Sequence, residues 1–110
     1  MHGQWCGGDW TGGNKEQYSP DHDIPGYYSD PEDPLDGACK VHDKCYYKCR
    51  DKFPCDKKAR GQCFLVCDGA LDDAALTAGG FDGNIVSASM RRPGKRIEPN
   101  PCSCGGILGE

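Results

Sequence analysis

Two stretches of the chain space their apolar positions with a helical period, while the stretch ahead of them shows no period at all. From Asp36 to Arg50 there is no proline, and Ala38, Val41, Cys45 and Cys49 fall three or four residues apart with charges between them, which predicts helix one over 36–50. Asp36 is placed to act as its N-cap, and Pro34 two residues earlier suits the approach to a helix start. Phe53-Pro54-Cys55-Asp56 interrupts the pattern as a turn. The period then resumes from Lys57 to Ala78 through Ala59, Cys63, Val66, Cys67, Ala70, Leu71, Ala74 and Ala75, which predicts helix two over 57–78. Gly79-Gly80 ends that helix by allowing the left-handed backbone that helix C-caps favour. Residues 1–35, with two glycine clusters and Pro20, Pro25, Pro31 and Pro34, read as loop. Residues 79–110 read as an irregular tail with one short apolar stretch, Ile85-Val86, and a Cys102-Ser103-Cys104 hook. No internal repeat is evident.

Helices joined by a short turn run antiparallel, so residues at equal height have position numbers with a nearly constant sum. Cys45 with Cys67 and Cys49 with Cys63 share one such sum, and each helix spaces its two cysteines one turn apart on a single face. Bridges between these facing turns are expected, the alternative being buried, unpaired cysteines. His42 and Asp68 fall close to the same sum, so an imidazole faces a carboxylate beside the Cys45–Cys67 level. That pairing fixes the tautomer of a general-base histidine and stabilises its imidazolium.

Composition narrows the class. A chain of 110 residues is one small domain, and with 36% hydrophobic residues, 16 Gly and 8 Pro it needs covalent or metal support. Nine cysteines read as a disulfide framework for an oxidising compartment, four bridges being the ceiling and one cysteine odd. No apolar run is long enough to span a bilayer. A formal charge of −4, from 13 basic and 17 acidic residues, repels phosphate backbones and argues against nucleic acid as partner. Met1-His2-Gly3 opens without a basic and then apolar leader, so the expectation is a removed signal or a domain excised from a larger exported protein.

The run Asp36-Gly37-Ala38-Cys39-Lys40-Val41-His42-Asp43-Lys44-Cys45-Tyr46 resembles the active-site helix of the secreted phospholipase A2 superfamily, D-x-C-C-x-x-H-D-x-C-Y. Cys67-Asp68 is similar to the Cys-Asp pair of that family's second helix, and Trp5-Cys6-Gly7-Gly8-Asp9 to its calcium loop, W/Y-C-G-x-G. Ala38 stands in place of the first cysteine of the pair and Asp9 in place of a loop glycine, as in a divergent, microbial toxin-type relative rather than a venom or pancreatic one.

The resemblance implies a mainly α, disulfide-rich domain over 1–110: two antiparallel stapled helices plus a calcium-binding-type loop. It implies a Cys6–Cys39 bridge that pins this loop. It also implies calcium-dependent hydrolysis of a glycerophospholipid acyl ester, with His42 as base through Nδ1, Asp68 orienting it and Tyr46 bonded to Asp68. Ca²⁺ would be held by the Asp43 carboxylate and the carbonyls of Trp5, Gly7 and Asp9, a hard-oxygen set. The Gly7 amide would serve the oxyanion. Adjacent side chains leave a helix about 100° apart, so His42 and Asp43 address different partners. No G-x-S-x-G elbow exists, which leaves water as the nucleophile. The expected setting is a monomer, secreted or delivered in a larger exported protein, acting on phospholipid membranes as a toxin with room for an immunity or inhibitor partner.

Two other readings compete: a non-catalytic disulfide-rich binding module, and a structural zinc domain using Cys39, His42 and Cys45 with the Cys102-Ser103-Cys104 hook. Among weaker signals, Asp21, Asp23, Asp30, Glu32 and Asp33 offer a second cation site or a solvated loop, without EF-hand spacing. Arg91, Arg92, Lys95 and Arg96, near Met90 and Ile97, offer an anionic-lipid contact or plain surface charge. Trp5, Trp10, Tyr27 and Tyr28 offer an interfacial rim or packing beneath the loop.

Overall fold

A computed structural model describes residues 2–91. After a long N-terminal loop containing one 3₁₀ turn, Pro20–His22, the chain forms α1 (Pro34–Lys52), α2 (Lys57–Ala78) and α3 (Gly80–Arg91). Among the described residues there is no strand, only an isolated bridge between Thr11 and Asn14. The molecule is a mainly helical, disulfide-rich domain in which α2 packs between α1 and α3.

Helix α1 starts earlier and ends later than the predicted span of 36–50, and its cap is Asp33 rather than Asp36. The Asp33 carboxylate accepts from the Asp36 amide at 2.8 Å. Pro34 then occupies the first helical position, where its missing N–H would have had no partner in the helix. The backbone amide of Asp36 and the His2 ring hold the Asp33 carboxyl below its ordinary pKa. Asp36 lies in the first turn and is fully buried, which frees its side chain for another task described below. At the other end, the buried Arg60 guanidinium donates to the carbonyls of Phe53 (2.9 Å) and Pro54 (3.2 Å) and so satisfies the turn between the helices.

Helix α2 has the predicted bounds, with Asp56 as N-cap accepting from the Ala59 amide at 3.0 Å. Its buried face is Cys67, Asp68, Leu71 and Ala75; Val66 and Ala70, assigned by period to the apolar face, are exposed. The three bridges Cys6–Cys39, Cys45–Cys67 and Cys49–Cys63 are formed, the two helix staples with Cα separations of 5.8 and 5.7 Å. No described cysteine is free, Cys55 included.

The tail is not irregular throughout, because α3 occupies Gly80–Arg91. Gly79 and Gly80, at φ 69° and 71°, reverse the chain so that α3 folds back on α2. Gly83 makes the close approach workable: a Cβ there would lie 2.6 Å from the Ala75 carbonyl oxygen. Asp72 stitches the two helices by accepting from the Ser87 hydroxyl and from Arg91 Nε, the latter at 2.8 Å, and the guanidinium keeps its carboxyl below the ordinary value. Arg92, Lys95, Arg96, Ile97 and the Cys102-Ser103-Cys104 hook lie outside the described residues.

Trp5 is completely buried and anchors one core cluster with Tyr28, Leu35, the Cys6–Cys39 bridge, Leu71 and Ala75. Its indole N–H donates to the Ser29 carbonyl at 2.8 Å. Glu16 collects donors from His22, Tyr27 and Tyr28 at 2.8 to 2.9 Å. Burial together with this carboxylate pushes the Tyr28 hydroxyl up to about 12. Within the acidic stretch, Asp23 accepts from nearby Tyr18 and Glu32 from Gln4, 28 positions away.

Candidate active site

The two staples bring α1 and α2 together so that His42 faces Asp68, both buried, with His42 Nε2 and Asp68 Oδ1 2.8 Å apart. Nε2 is thus the ring nitrogen turned to the carboxylate. The Tyr46 hydroxyl donates to the same Asp68 oxygen at 2.8 Å. Its ring stacks on Phe64 at 4.1 Å and lies 4.6 Å from the His42 ring, and the Arg50 guanidinium sits 5.6 Å over its face. Tyr46 thus both packs and hydrogen-bonds. Phe64 and Arg50 were not singled out from sequence; an aromatic and a cation within one turn of Cys63 and Cys49 were the available signal.

A cavity of about 350 Å³ opens over this pair. Its polar wall includes His42, Asp43 and Tyr46 of α1 with Trp5, Gly7 and Asp9 of the N-terminal loop. Leu71 of α2 and Ile85, Val86 and Met90 of α3 give it an apolar wall. The structure therefore gathers every sequence-predicted catalytic and calcium-site residue except Asp68 on one cavity, and Asp68 is bonded to one that lines it. The loop's glycines and Asp9 lie at its exposed edge, Gly7 at φ 133° and Asp9 at φ 52°. Asp9 occupies the left-handed region that aspartate tolerates better than most side chains.

The loop is tied to α1 at two levels. The Asp36 carboxylate accepts the backbone amides of Trp5 at 2.7 Å on Oδ1, and of Gln4 at 2.9 Å and Glu32 at 3.0 Å on Oδ2. One turn further along the helix, Cys39 bridges to Cys6. The donor types suit a hard cation: the Asp43 carboxylate, with Oδ2 shielded from solvent, lines the same cavity as Trp5, Gly7 and Asp9, whose backbone offers carbonyl oxygens. Asp43 and those carbonyls fit Ca²⁺ by chemistry.

The zinc alternative does not survive the bonding pattern. Cys39 and Cys45 are both in disulfides, and the close group Cys45, Cys49 and Cys67 consists of bridge sulfurs rather than thiolates. The interfacial-rim alternative also fails for Trp5 and Tyr28, which are core residues; Tyr27 is exposed and Trp10 lines the cavity.

No known protein family, curated protein or solved structure matches the chain. No helix among the described residues is long and apolar enough to cross a membrane, and the three bridges accord with an oxidising compartment.

Proposed function

We propose that the chain is a calcium-dependent, phospholipase A2-like hydrolase that cleaves an acyl ester of a glycerophospholipid. The observation that carries the reading is the buried His42–Asp68 contact at 2.8 Å, made through Nε2, on the wall of a cavity with one polar and one apolar side. In this reading His42 Nδ1 takes a proton from water, and the resulting hydroxide adds to the ester carbonyl carbon. The bond to the glycerol oxygen then breaks and His42 returns the proton to that oxygen, releasing fatty acid and lysophospholipid. Asp68 holds the ring in the tautomer with hydrogen on Nε2 and stabilises the imidazolium, while Tyr46 fixes the Asp68 oxygen. The Gly7 amide is the donor aimed at the developing oxyanion. Calcium, held by Asp43 and the carbonyls of Trp5, Gly7 and Asp9, would supply Lewis-acid polarisation of the ester carbonyl. The apolar wall of Leu71, Ile85, Val86 and Met90 takes the acyl chain.

The same reading gives the protein a secreted setting and a membrane-damaging, toxin-type role. The test is release of fatty acid and lysophospholipid from mixed phospholipid vesicles, with and without a calcium chelator. Release that depends on calcium and falls about 10²-fold or more in His42→Gln is expected. No release from the oxidised wild-type chain would leave a binding module as the better account.

A further inference from the structure

We propose that Asp36 is a positioning residue for the glycine loop: its buried carboxylate grips the backbone amides of Gln4 and Trp5 and sets the height at which Gly7 to Asp9 meet Asp43. The proposal rests on the calcium reading above and assigns that site its support.

The loop climbs α1 in step with the helix. Gln4 and Trp5 are held at Asp36, Cys6 is held at Cys39, and Gly7 to Asp9 share the cavity wall with His42 and Asp43. Beyond Cys6 the backbone turns rather than extends, with Gly7 at φ 133° and Asp9 at φ 52°, so the height of Gly7 to Asp9 on α1 is set by where Gln4, Trp5 and Cys6 are anchored. A single disulfide would leave the loop free to swing about its Sγ–Sγ bond, whereas two attachments one turn apart fix both position and direction. Asp36 is fully buried and three amides converge on its two oxygens, so losing the carboxylate would cost each of them its acceptor. The chain has cleared space for this contact. Gly3 lies at φ 60°, and a Cβ on it would come within 2.5 Å of the Asp36 carboxyl carbon.

Asp36→Asn keeps the shape but puts an NH₂ group where an amide N–H now points. In the full oxidised chain, calcium titration by calorimetry is expected to show affinity at least about tenfold weaker than wild type. Amide hydrogen exchange should accelerate at Gln4 and Trp5, with α1 and α2 protection and all three described bridges retained. Selectivity separates positioning from bulk stability: uniform loosening of loop and helices would overturn the proposal, as would calcium affinity within about twofold of wild type. Should Asp36→Asn fail to fold, Gly3→Ala presses on the same contact without changing charge and is judged by the same two readouts. A wild-type chain that takes up no calcium overturns the calcium reading and this proposal together. A wild type that binds calcium while the variant binds it equally well overturns this proposal alone.

Discussion

The stapled helix pair and the N-terminal loop reach order by different means. Between α1 and α2, two disulfides fix the register, and the His42–Asp68 pair sits one turn from the Cys45–Cys67 bridge. In the loop one disulfide is supplemented by carboxylates that collect hydrogen bonds: Asp36 from three amides, Glu16 from two tyrosines and a histidine, Asp33 from the Asp36 amide and His2. The His42–Asp68 pair is thus placed by covalent geometry, and the glycine loop largely by polar contacts. In the proposed reading, the proton transfer that needs close placement falls to the doubly stapled half, and the ion to the half held by one disulfide and hydrogen bonds.

Removing both helix staples, with Cys45, Cys49, Cys63 and Cys67 all changed to serine, should have the largest effect. It should lower unfolding free energy by at least about 3 kcal/mol, read in denaturant melts of helical signal. An unchanged midpoint would mean that packing alone holds the pair. Smaller and local is Glu16→Gln, which should change the near-ultraviolet signal of the loop tyrosines while leaving helical content unchanged. His22 holds the Glu16 carboxyl below its ordinary value, so this contribution is fully present above 4.5 and is lost as pH falls through the lower folded value. Helix melting in step with the loop would erase the distinction between the two regions.

The smallest effect belongs to His2, whose ring contacts Asp82 of α3 at 2.7 Å and Asp33 at 2.8 Å. Both nitrogens face carboxylates, so the doubly protonated ring fits best, and chiefly the Asp82 bond raises its pKa above 6.5. Stability from this tie is present below 6.5 and fades as pH rises through the raised folded value. Proton titration of His2 by NMR should show the raised midpoint, with Asp82→Asn lowering it more than Asp33→Asn. An ordinary midpoint would detach His2 from the loop's network.

The helix pair was legible because a short turn dictates antiparallel direction and cysteines one turn apart admit one natural pairing. His42 and Asp68 followed from the same register. Asp36 was misassigned because its partners are Gln4 and Trp5, more than thirty residues away in sequence, and no periodicity reports such a return. The local sign was Pro34, whose place at the first helical position points to Asp33 as the cap. Helix α3 was hidden by Gly80 and Gly83, poor helix formers; yet Val86 and Met90, one turn apart, both pack on the core, and Gly83 is explained only by the nearness of Ala75. Nor could sequence decide that Trp5 lies beneath the loop, since aromatic residues beside glycines serve rims and cores alike.

The bridge from Cys6 to Cys39 spans 33 positions and joins the N-terminal loop to the second turn of α1. Until it closes, the segment carrying Gly7 is a tether whose end explores a volume far larger than the fold. The staples close shorter loops, 22 and 14 positions, so the tether is the entropically dearest of the three to fasten. A thiol-reducing environment would undo all three bridges, so a newly made chain would lose both the clamp that sets its histidine against the carboxylate and the strap meant to lie beside it.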